Sequence, residues 1–203
     1  MNIKHDKEKV LNGGLELFWR KGYKSVGINE ICNVTGMTKG AFYNKFKGKE
    51  QFLNQTVELY GKINSKLIKE YFQAHNKLSS YQKLLKFYSD LFSRQPKINF
   101  IGCFMNNIMT EMGILNKNIG EVSSKVYENF INDIEPIVKK AQDENEITDS
   151  ISSRNITELL QTSFYGSLTR VQSSKNYNQG ISLIKILLNS LKPNHKKTSL
   201  EKI

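Results

Sequence analysis

Apolar residues recur at intervals of three and four along most of the chain, and strict alternation of apolar and polar residues is absent. This spacing is typical of α-helices that bury one face, and only three prolines interrupt it. The first stripe predicts a helix over residues 7–21 that ends at Gly22, because glycine readily adopts the left-handed conformation that closes a helix. We therefore predict an all-α protein.

Two shorter stripes follow the first helix. One begins at Ile28 and stops at Gly36, and the next begins at Thr38, a suitable N-cap, and continues to Phe46. They predict two short helices joined by a tight turn at the glycine. Six apolar side chains are expected to fix this pair on its core: Ile28, Ile31, Val34, Met37, Phe42 and Phe46.

The helical pattern continues through the rest of the chain. A long helix is predicted after Gly48, and Pro136 is expected to kink or end a later helix. The last two helices are predicted over 154–173 and 177–191, which brings the total to about nine. Three parts are expected: an N-terminal three-helix unit over 1–48, a larger helical unit over 49–192 and a polar tail over 193–203.

Charge and composition narrow the function classes. Thirty Lys and Arg against nineteen Asp and Glu give a net charge of +11, which attracts polyanions. No run of about 18 apolar residues is long enough to cross a bilayer. We expect a cytoplasmic protein with no membrane partner.

The chain also lacks the motifs of catalysis. The two cysteines, Cys32 and Cys103, do not have the paired spacing of metal sites or disulfide frameworks. The three histidines stand near the ends or in a polar stretch, and neither a Ser-His-Asp set nor a Gly-rich phosphate loop is present. We therefore expect no enzyme, no cofactor and no metal.

The pair of short helices carries the residue types that reading duplex DNA requires. Between Ile31 and Lys49 the chain has four lysines and no acid. A recognition helix enters the major groove, where lysine can donate to guanine, asparagine can pair with adenine and a tyrosine hydroxyl can hold a phosphate oxygen. The outer residues predicted for the second short helix are Lys39, Gly40, Ala41, Tyr43, Asn44 and Lys45.

The stretch from Leu15 to Leu53, LELFWRKGYKSVGINEICNVTGMTKGAFYNKFKGKEQFL, resembles the N-terminal domain of TetR-type regulators in residue type and spacing. The resemblance implies a ligand-released repressor that acts as a homodimer, with about nine helices of which the last two form a four-helix dimer interface. The implied partners are a double-stranded DNA operator, a second copy of the chain and a small-molecule effector. The units over 1–48 and 49–192 would then be a helix-turn-helix DNA-binding domain and an effector-binding and dimerisation domain.

The resemblance also implies roles by position. Lys39, Ala41 and Asn44 match base contacts, and Tyr43 and Lys49 match phosphate contacts. Tyr43 as a half-buried aromatic and Asn44 as a solvent-facing residue are the alternatives. The full set of DNA-binding candidates is Ser25, Gly27, Thr38, Lys39, Gly40, Ala41, Tyr43, Asn44, Lys45 and Lys49.

The chain departs from the family pattern before and within the two short helices. Val26 stands before Gly27 where Thr followed by Ser or Gly is frequent, so capping and a phosphate contact are expected to shift to Ser25. Small alanines are replaced by Cys32 and Thr35. Lys45 stands where histidine is common.

Two apolar stripes near the C-terminus are the candidates for the dimer interface. Ser163, Gly166 and Ser167 would allow close helix approach. A twofold dimer would place two recognition helices about 34 to 36 Å apart on a near-palindromic operator. The predicted interface residues are Ile156, Leu160, Phe164, Ile184, Leu188 and Leu191.

A second segment, GCFMNNIMTEMG from Gly102 to Gly113, looks like part of a branch of these regulators in which some members sense electrophiles or oxidants through the cysteine. Amides at a helix start stabilise a thiolate, so Cys103 is a candidate sensor; the alternative is a small residue packed where a helix begins. An apolar or aromatic effector would suit the aromatic and thioether side chains nearby. The candidate effector residues are Tyr88, Phe92, Cys103, Phe104, Met109, Tyr127, Phe130 and Phe164.

Two other functions compete with a sequence-specific regulator. The net charge of +11 also suits a non-specific architectural protein of nucleic acids, which would show no preferred footprint. A purely structural dimer would not bind DNA at all.

Overall fold

A computed structural model describes residues 6–193, and within that range the elements are nine α-helices and one short 3-10 helix, Gln95–Ile98, with no strand. This confirms the predicted all-α class and helix number. The helices are α1 Lys7–Lys21, α2 Ile28–Thr35, α3 Lys39–Phe46, α4 Lys49–Ala74, α5 Ser80–Ser93, α6 Phe104–Met112, α7 Lys117–Asp143, α8 Ser153–Ser174 and α9 Tyr177–Ser190.

Local signals explain most of these boundaries. Five helices begin behind a side chain that accepts a hydrogen bond from their first turn: Asp6, Thr38, Ser79, Ser152 and Asn176. These caps satisfy backbone N–H groups that the helix itself leaves without partners. At the other end of α2, Gly36 is left-handed, with φ of 70° and ψ of 14°, so the chain turns directly into α3.

The chain forms two compact units. The first contains the described residues up to Leu67 together with Ile101–Phe130, and the second contains Ile68–Phe100 together with the described residues from Ile131 onwards. The predicted boundary after residue 48 stays a prediction. The polar tail from residue 194 lies outside the described residues, as do His5 and His195.

The first unit has an aromatic core beneath the two short helices. Phe18, Phe42, Phe46 and Phe52 are each at most 1% exposed. The Phe52 ring centroid of α4 lies 4.8 Å from that of Phe46 and 5.3 Å from that of Phe42. Because such ring pairs favour tilted and edge-on contacts, this core fixes α3 against α4.

The second unit is built around α5, α8 and α9. The Tyr88 hydroxyl donates to the Gln161 side-chain carbonyl at 3.2 Å, and the Phe92 and Phe164 ring centroids are 5.1 Å apart. Gly180 of α9 allows this approach, because a Cβ atom there would lie 2.5 Å from the Phe92 ring. A small residue, Gly180, is therefore packed against a large one, Phe92, in the core of this unit.

Two local predictions are corrected. Val34 is 55% exposed, because the buried face of α2 follows positions 28, 31, 32 and 35 and residue 34 falls on the flank of the helix. Val26, which is 1% exposed, is buried just before α2 begins. Of the two alternatives predicted for Pro136, an end of the helix is wrong, since α7 continues to Asp143, and a kink stays a prediction.

Candidate nucleic-acid interface

The outer side of α3 is free of the protein core. Lys39, Gly40, Tyr43 and Asn44 are exposed, and Ala41 is half-buried. Lys45, also exposed, lies on the flank, with its ammonium 5.8 Å from the centroid of the neighbouring phenylalanine ring. The side chain of Thr38 caps the helix by accepting from the backbone N–H of Ala41 at 3.2 Å.

Tyr43 is 48% exposed and makes an edge contact with the buried Phe42, with ring centroids 5.8 Å apart and planes at 81°. An edge contact holds the ring upright on the helix surface. The phenol of Tyr43 is thus presented to solvent beside Asn44.

Helix α2 starts without a side-chain N-cap. Gly27 occupies the N-cap position, and no side chain accepts a hydrogen bond there. The Ser25 hydroxyl instead donates to the Lys21 carbonyl, at the end of α1. The capping role predicted for Ser25 is therefore wrong, because its hydroxyl oxygen accepts no hydrogen bond from the first turn of α2.

The first residue of α4 is Lys49, as the sequence predicted. Its ammonium group donates to the backbone carbonyls of Tyr23 at 3.0 Å and Val26 at 2.9 Å, and it lies 4.1 Å from the centroid of the Tyr23 ring. Burial lowers the pKa of Lys49, and the nearby Glu111 carboxylate opposes that shift.

Comparison with known proteins identifies this arrangement. The model of "Bacterial regulatory proteins, tetR family" matches residues 10–56, which contain α2, α3 and the start of α4. The N-terminal part of the chain thus matches the tetR family. Its members are transcriptional regulators that bind DNA and act as dimers, and the family resemblance predicted from the sequence is confirmed.

Two of the relatives found match over nearly the whole chain. An uncharacterized HTH-type transcriptional regulator in the lacX 3′ region of Lactococcus lactis subsp. lactis is 26% identical over 207 residues, covering 100% of this chain and 96% of the relative. The HTH-type transcriptional repressor DhaR of Mycobacterium sp. (strain GP1) is 17% identical and covers 96% of each chain. The crystal structure of regulatory protein TetR from Rhodobacter sphaeroides has a TM-score of 0.80 at 23% identity, covering 90% of this chain and 96% of that chain, and shows the shared fold.

The side chains that the sequence assigned to the dimer interface are buried within the single chain. Each is at most 5% exposed: Ile156, Leu160, Phe164, Ile184, Leu188 and Leu191. Phe164, for example, packs on Tyr88 and Phe92 of α5. That prediction is therefore wrong, because the apolar stripe of each helix faces inward.

The outer sides of α8 and α9 nevertheless carry exposed apolar residues. Leu159 is 42% exposed, Leu183 44% and Ile186 62%. Gly166, on α8, is exposed as well, and a Cβ atom there would meet nothing within 4 Å. The packing of the described residues thus does not require a glycine at this position.

The eight effector candidates divide between the two units. Tyr88, Phe92 and Phe164 belong to the second unit, and all three are buried in its core. The other five belong to the first: Cys103, Phe104, Met109, Tyr127 and Phe130. Their role in effector binding stays a prediction.

Cys103 is the N-cap residue of α6, so the predicted helix start is where the structure has it. The sulfur is 3.4 Å from the Tyr60 hydroxyl, and the thiol-bearing residue is half-buried. The Tyr60 ring packs on Phe104, with centroids 5.1 Å apart. The peptide carbonyl just before the cysteine, that of Gly102, accepts from the Trp19 indole N–H at 3.2 Å.

A surface groove of about 890 Å³ runs between the end of α6 and the first half of α7. Met109, Ile114, Lys117 and Glu121 are among its lining residues, so one effector candidate borders it. Within residues 6–193, no group of three His, Cys, Asp or Glu side chains is arranged to hold a metal ion. No helix in that range has the length and apolar character needed to cross a membrane.

Sequence reasoning missed the side chain that reaches the connection between α1 and α2. The Glu111 carboxylate, on α6, accepts from the backbone N–H groups of Tyr23 at 2.9 Å and Lys24 at 2.8 Å. The pKa of Tyr23 is raised by burial first and then by the Glu50 and Glu111 carboxylates. No local signal marks such a contact, since the partners are 87 and 88 positions apart.

Proposed function

We propose that this tetR-family protein is a repressor that binds a near-palindromic operator as a homodimer and is released by a small apolar, aromatic or electrophilic effector. The observation that carries the proposal is the two-sided character of α3. Phe42 and Phe46 are at most 1% exposed and hold the helix from beneath, while its opposite side presents Lys39, Gly40 and Asn44 to solvent.

In the proposed complex, α3 lies in the major groove with its N-terminal end toward the bases. Lys39 donates to guanine O6 or N7 and Asn44 pairs with adenine, while Ala41 packs on a base edge. Gly40 meets nothing within 4 Å at its Cβ position, which leaves room for the DNA backbone to come close. Tyr43 and Lys45 flank this surface and contact phosphates.

A phosphate group also fits the start of α2. Gly27 leaves the helix without a side-chain cap. Uncapped N–H groups at a helix N-terminus bind anions through hydrogen bonds and the helix dipole. The net charge of +11 strengthens every such contact and makes binding strongly dependent on salt.

The proposed dimer surface is the outer face of α8 and α9, with Leu159 and Gly166 on α8 and Leu183 and Ile186 on α9. Exposed apolar side chains beside an unneeded glycine favour close packing against another helix. A twofold axis through this face would place two α3 helices about one DNA turn apart, roughly 34 to 36 Å.

The proposed sensing residue for electrophiles is Cys103. It sits where α6 begins, and the adjacent Gly102 carbonyl holds the Trp19 indole of α1. A covalent adduct on the sulfur would have to displace the Tyr60 hydroxyl, 3.4 Å away, and so disturb this contact. An effector can release the DNA only if it binds the released conformation more tightly than the DNA-bound one.

Selection of random duplexes by the purified protein tests the proposal. We expect a palindromic consensus that also occurs in the DNA upstream of the gene, and a preference for it over scrambled DNA at physiological salt. Equal binding of all duplexes would favour a non-specific architectural protein, and no binding would favour a structural dimer.

Substitution of Lys39 tests the assignment of α3. Lys39→Ala is expected to cost about 1 to 3 kcal/mol of operator binding and to relax the preference at one base of each half-site. Lys125→Ala, which removes an exposed lysine of α7, serves as the control and is expected to keep the consensus.

A separate experiment tests the sensor. The Cys103→Ser protein is expected to bind the operator with unchanged affinity but to remain bound when an alkylating electrophile such as N-ethylmaleimide is added. Cys32→Ser controls for the second, buried thiol. Release of the Cys103→Ser protein to the same extent as the wild type would remove Cys103 from this role.

A further inference from the structure

The connection between α1 and α2, residues 22–27, sets the direction in which α2 leaves the first helix. Val26 anchors its end, being 1% exposed, and Gly27 starts α2 without a side-chain cap. The Ser25 hydroxyl donates to the Lys21 carbonyl of α1 and does not cap α2. Residues distant in the sequence make further hydrogen bonds to the backbone of this connection.

Lys49 supports the carbonyl side of this connection. Its ammonium donates to Tyr23 and Val26 oxygens at 3.0 and 2.9 Å and lies over the Tyr23 ring. A lysine at the first position of a helix is repelled by the positive end of the helix dipole, and its burial adds a further cost. The two carbonyls and the ring face offset both, which ties α4 to the connection.

Glu111 supports the amide side of the same segment. Its two carboxylate oxygens accept one hydrogen bond each, from the N–H groups of Tyr23 and Lys24, at 2.9 and 2.8 Å. Hydrogen bonds to a charged acceptor are stronger than those between neutral groups. Tyr23 therefore has its N–H held by α6 and its carbonyl held by α4.

We propose that Lys49 and Glu111 are positioning residues that clamp the segment Tyr23–Val26 from opposite sides and thereby fix α2 and α3 in the orientation that reads the operator. Lys49 acts through the two carbonyls and not through a DNA phosphate, the contact that the sequence predicted for it. The inference rests on the proposed DNA-binding function and names two further residues for it.

The hydrogen-bond geometry favours the clamp over a phosphate contact for Lys49. An ammonium group has three N–H donors. Two of them are directed at the carbonyls and the group faces the Tyr23 ring, so reaching for a phosphate would leave the Tyr23 and Val26 oxygens without this donor. Giving up satisfied hydrogen bonds in a partly buried place is unfavourable.

The first test separates clamp from phosphate contact by salt dependence and by specificity. Lys49→Met keeps the length of the side chain and removes the ammonium. The clamp predicts that operator affinity falls about tenfold to a hundredfold, that binding to scrambled DNA changes little, and that the slope of log affinity against log salt stays at the wild-type value. Lys125→Met, which changes an exposed lysine of α7, is the matched control and should alter none of the three.

A phosphate contact predicts a different result for the same variant. Operator and scrambled duplexes would be weakened alike, and the magnitude of the slope would drop by about 0.9 per half-site. That outcome, with a wild type that prefers its operator, would overturn the clamp and leave the proposed function intact. A wild type without preference would instead count against the proposed function itself.

The second test uses the carboxylate and does not depend on Lys49→Met being folded. Glu111→Gln removes a negative charge, so charge attraction alone predicts tighter DNA binding. The clamp predicts weaker operator binding, together with faster hydrogen exchange at the Tyr23 and Lys24 amides, because a neutral amide oxygen replaces two charged acceptors. Glu121→Gln, on α7 and paired only with Lys117 at 3.7 Å, is the control for charge. Unchanged or tighter operator binding by Glu111→Gln would overturn the proposal.

Discussion

Gly14 of α1 lies so close to the edge of the Phe52 ring of α4 that a methyl group at position 14 would overlap the ring. The same ring packs on Phe42 and Phe46 of α3. The absence of a side chain at Gly14 therefore determines how near α1, α3 and α4 come to one another.

Gly14→Ala is expected to destabilise the protein by about 1 to 3 kcal/mol, because an added methyl group in a filled core forces neighbouring rings to move. Gly13→Ala is the matched control. A Cβ atom there would lie 3.4 Å from the Val34 side chain, an ordinary contact, so the gain in helix propensity should leave stability equal or up to about 1 kcal/mol higher. Urea unfolding of the two variants checks this, and equal stabilities would contradict the packing described for Phe52.

Gly40→Ala should separate stability from DNA binding. A Cβ atom at Gly40 meets nothing within 4 Å, so the free protein is expected to be up to about 1 kcal/mol more stable. Operator affinity should nevertheless fall, because the methyl group occupies space that the proposed complex gives to the DNA. Thermal unfolding and operator titration measure the two effects, with Gly13→Ala as a control that leaves α3 unchanged. A Gly40→Ala protein that bound its operator as tightly as the wild type would argue against close approach at this residue.

Ile186→Asp is expected to convert the proposed dimer into monomers, because a charge in an apolar interface loses its hydration without gaining a partner. Ile186 is 62% exposed in the single chain, so the fold of the subunit should survive. Ile114→Asp changes a still more exposed isoleucine, 98%, on the turn between α6 and α7 and should leave the dimer intact. Sedimentation at several concentrations measures both. Dissociation by Ile114→Asp alone would move the interface to the other unit.

The helix boundaries followed from the sequence because their signals are local. The Thr38 cap, the left-handed Gly36 and the helix start at Lys49 are each decided by residues within one turn of the boundary. Helix α3 was predictable for the same reason, since its buried anchors at Phe42 and Phe46 alternate with its outer residues at helical spacing.

Long-range relationships were not predictable in this way. α8 has apolar residues on two sides, and periodicity does not tell which side faces the core, so Leu160 was assigned to a partner while Leu159 is the exposed one. The partners of Glu111 lie in a distant turn, and their backbone N–H groups carry no mark in the sequence. The contacts of Lys49 were not predictable either. A lysine suits a phosphate contact, but in the folded chain its ammonium donates to two backbone carbonyls.

Asp90 of α5 is expected to give the second unit an acid-sensitive contribution to stability. The Tyr71 hydroxyl and the Lys86 ammonium donate to the same Asp90 oxygen, at 2.7 and 2.9 Å. Burial alone would raise the pKa of Asp90, but these two hydrogen bonds, together with the charges of Lys86 and His75, outweigh it and hold the pKa below its ordinary value of 3.8.

A carboxyl group whose pKa is lower in the folded than in the unfolded state stabilises the protein above its unfolded pKa, and that stabilisation is lost as pH falls through the folded value. The free energy of unfolding should therefore decrease below about pH 4, with a contribution from this partly exposed group of about 1 kcal/mol or less.

Tyr71→Phe removes one donor and should reduce the Asp90 contribution and shift its loss to higher pH, and Asp90→Asn should abolish it. Asp143→Asn, which breaks an exposed pair with Lys139, should leave stability at pH 7 close to the wild type. Urea unfolding at pH 7, 4 and 3 measures the differences, and a Tyr71→Phe protein with the wild-type acid dependence would show that the phenol does not control this carboxylate.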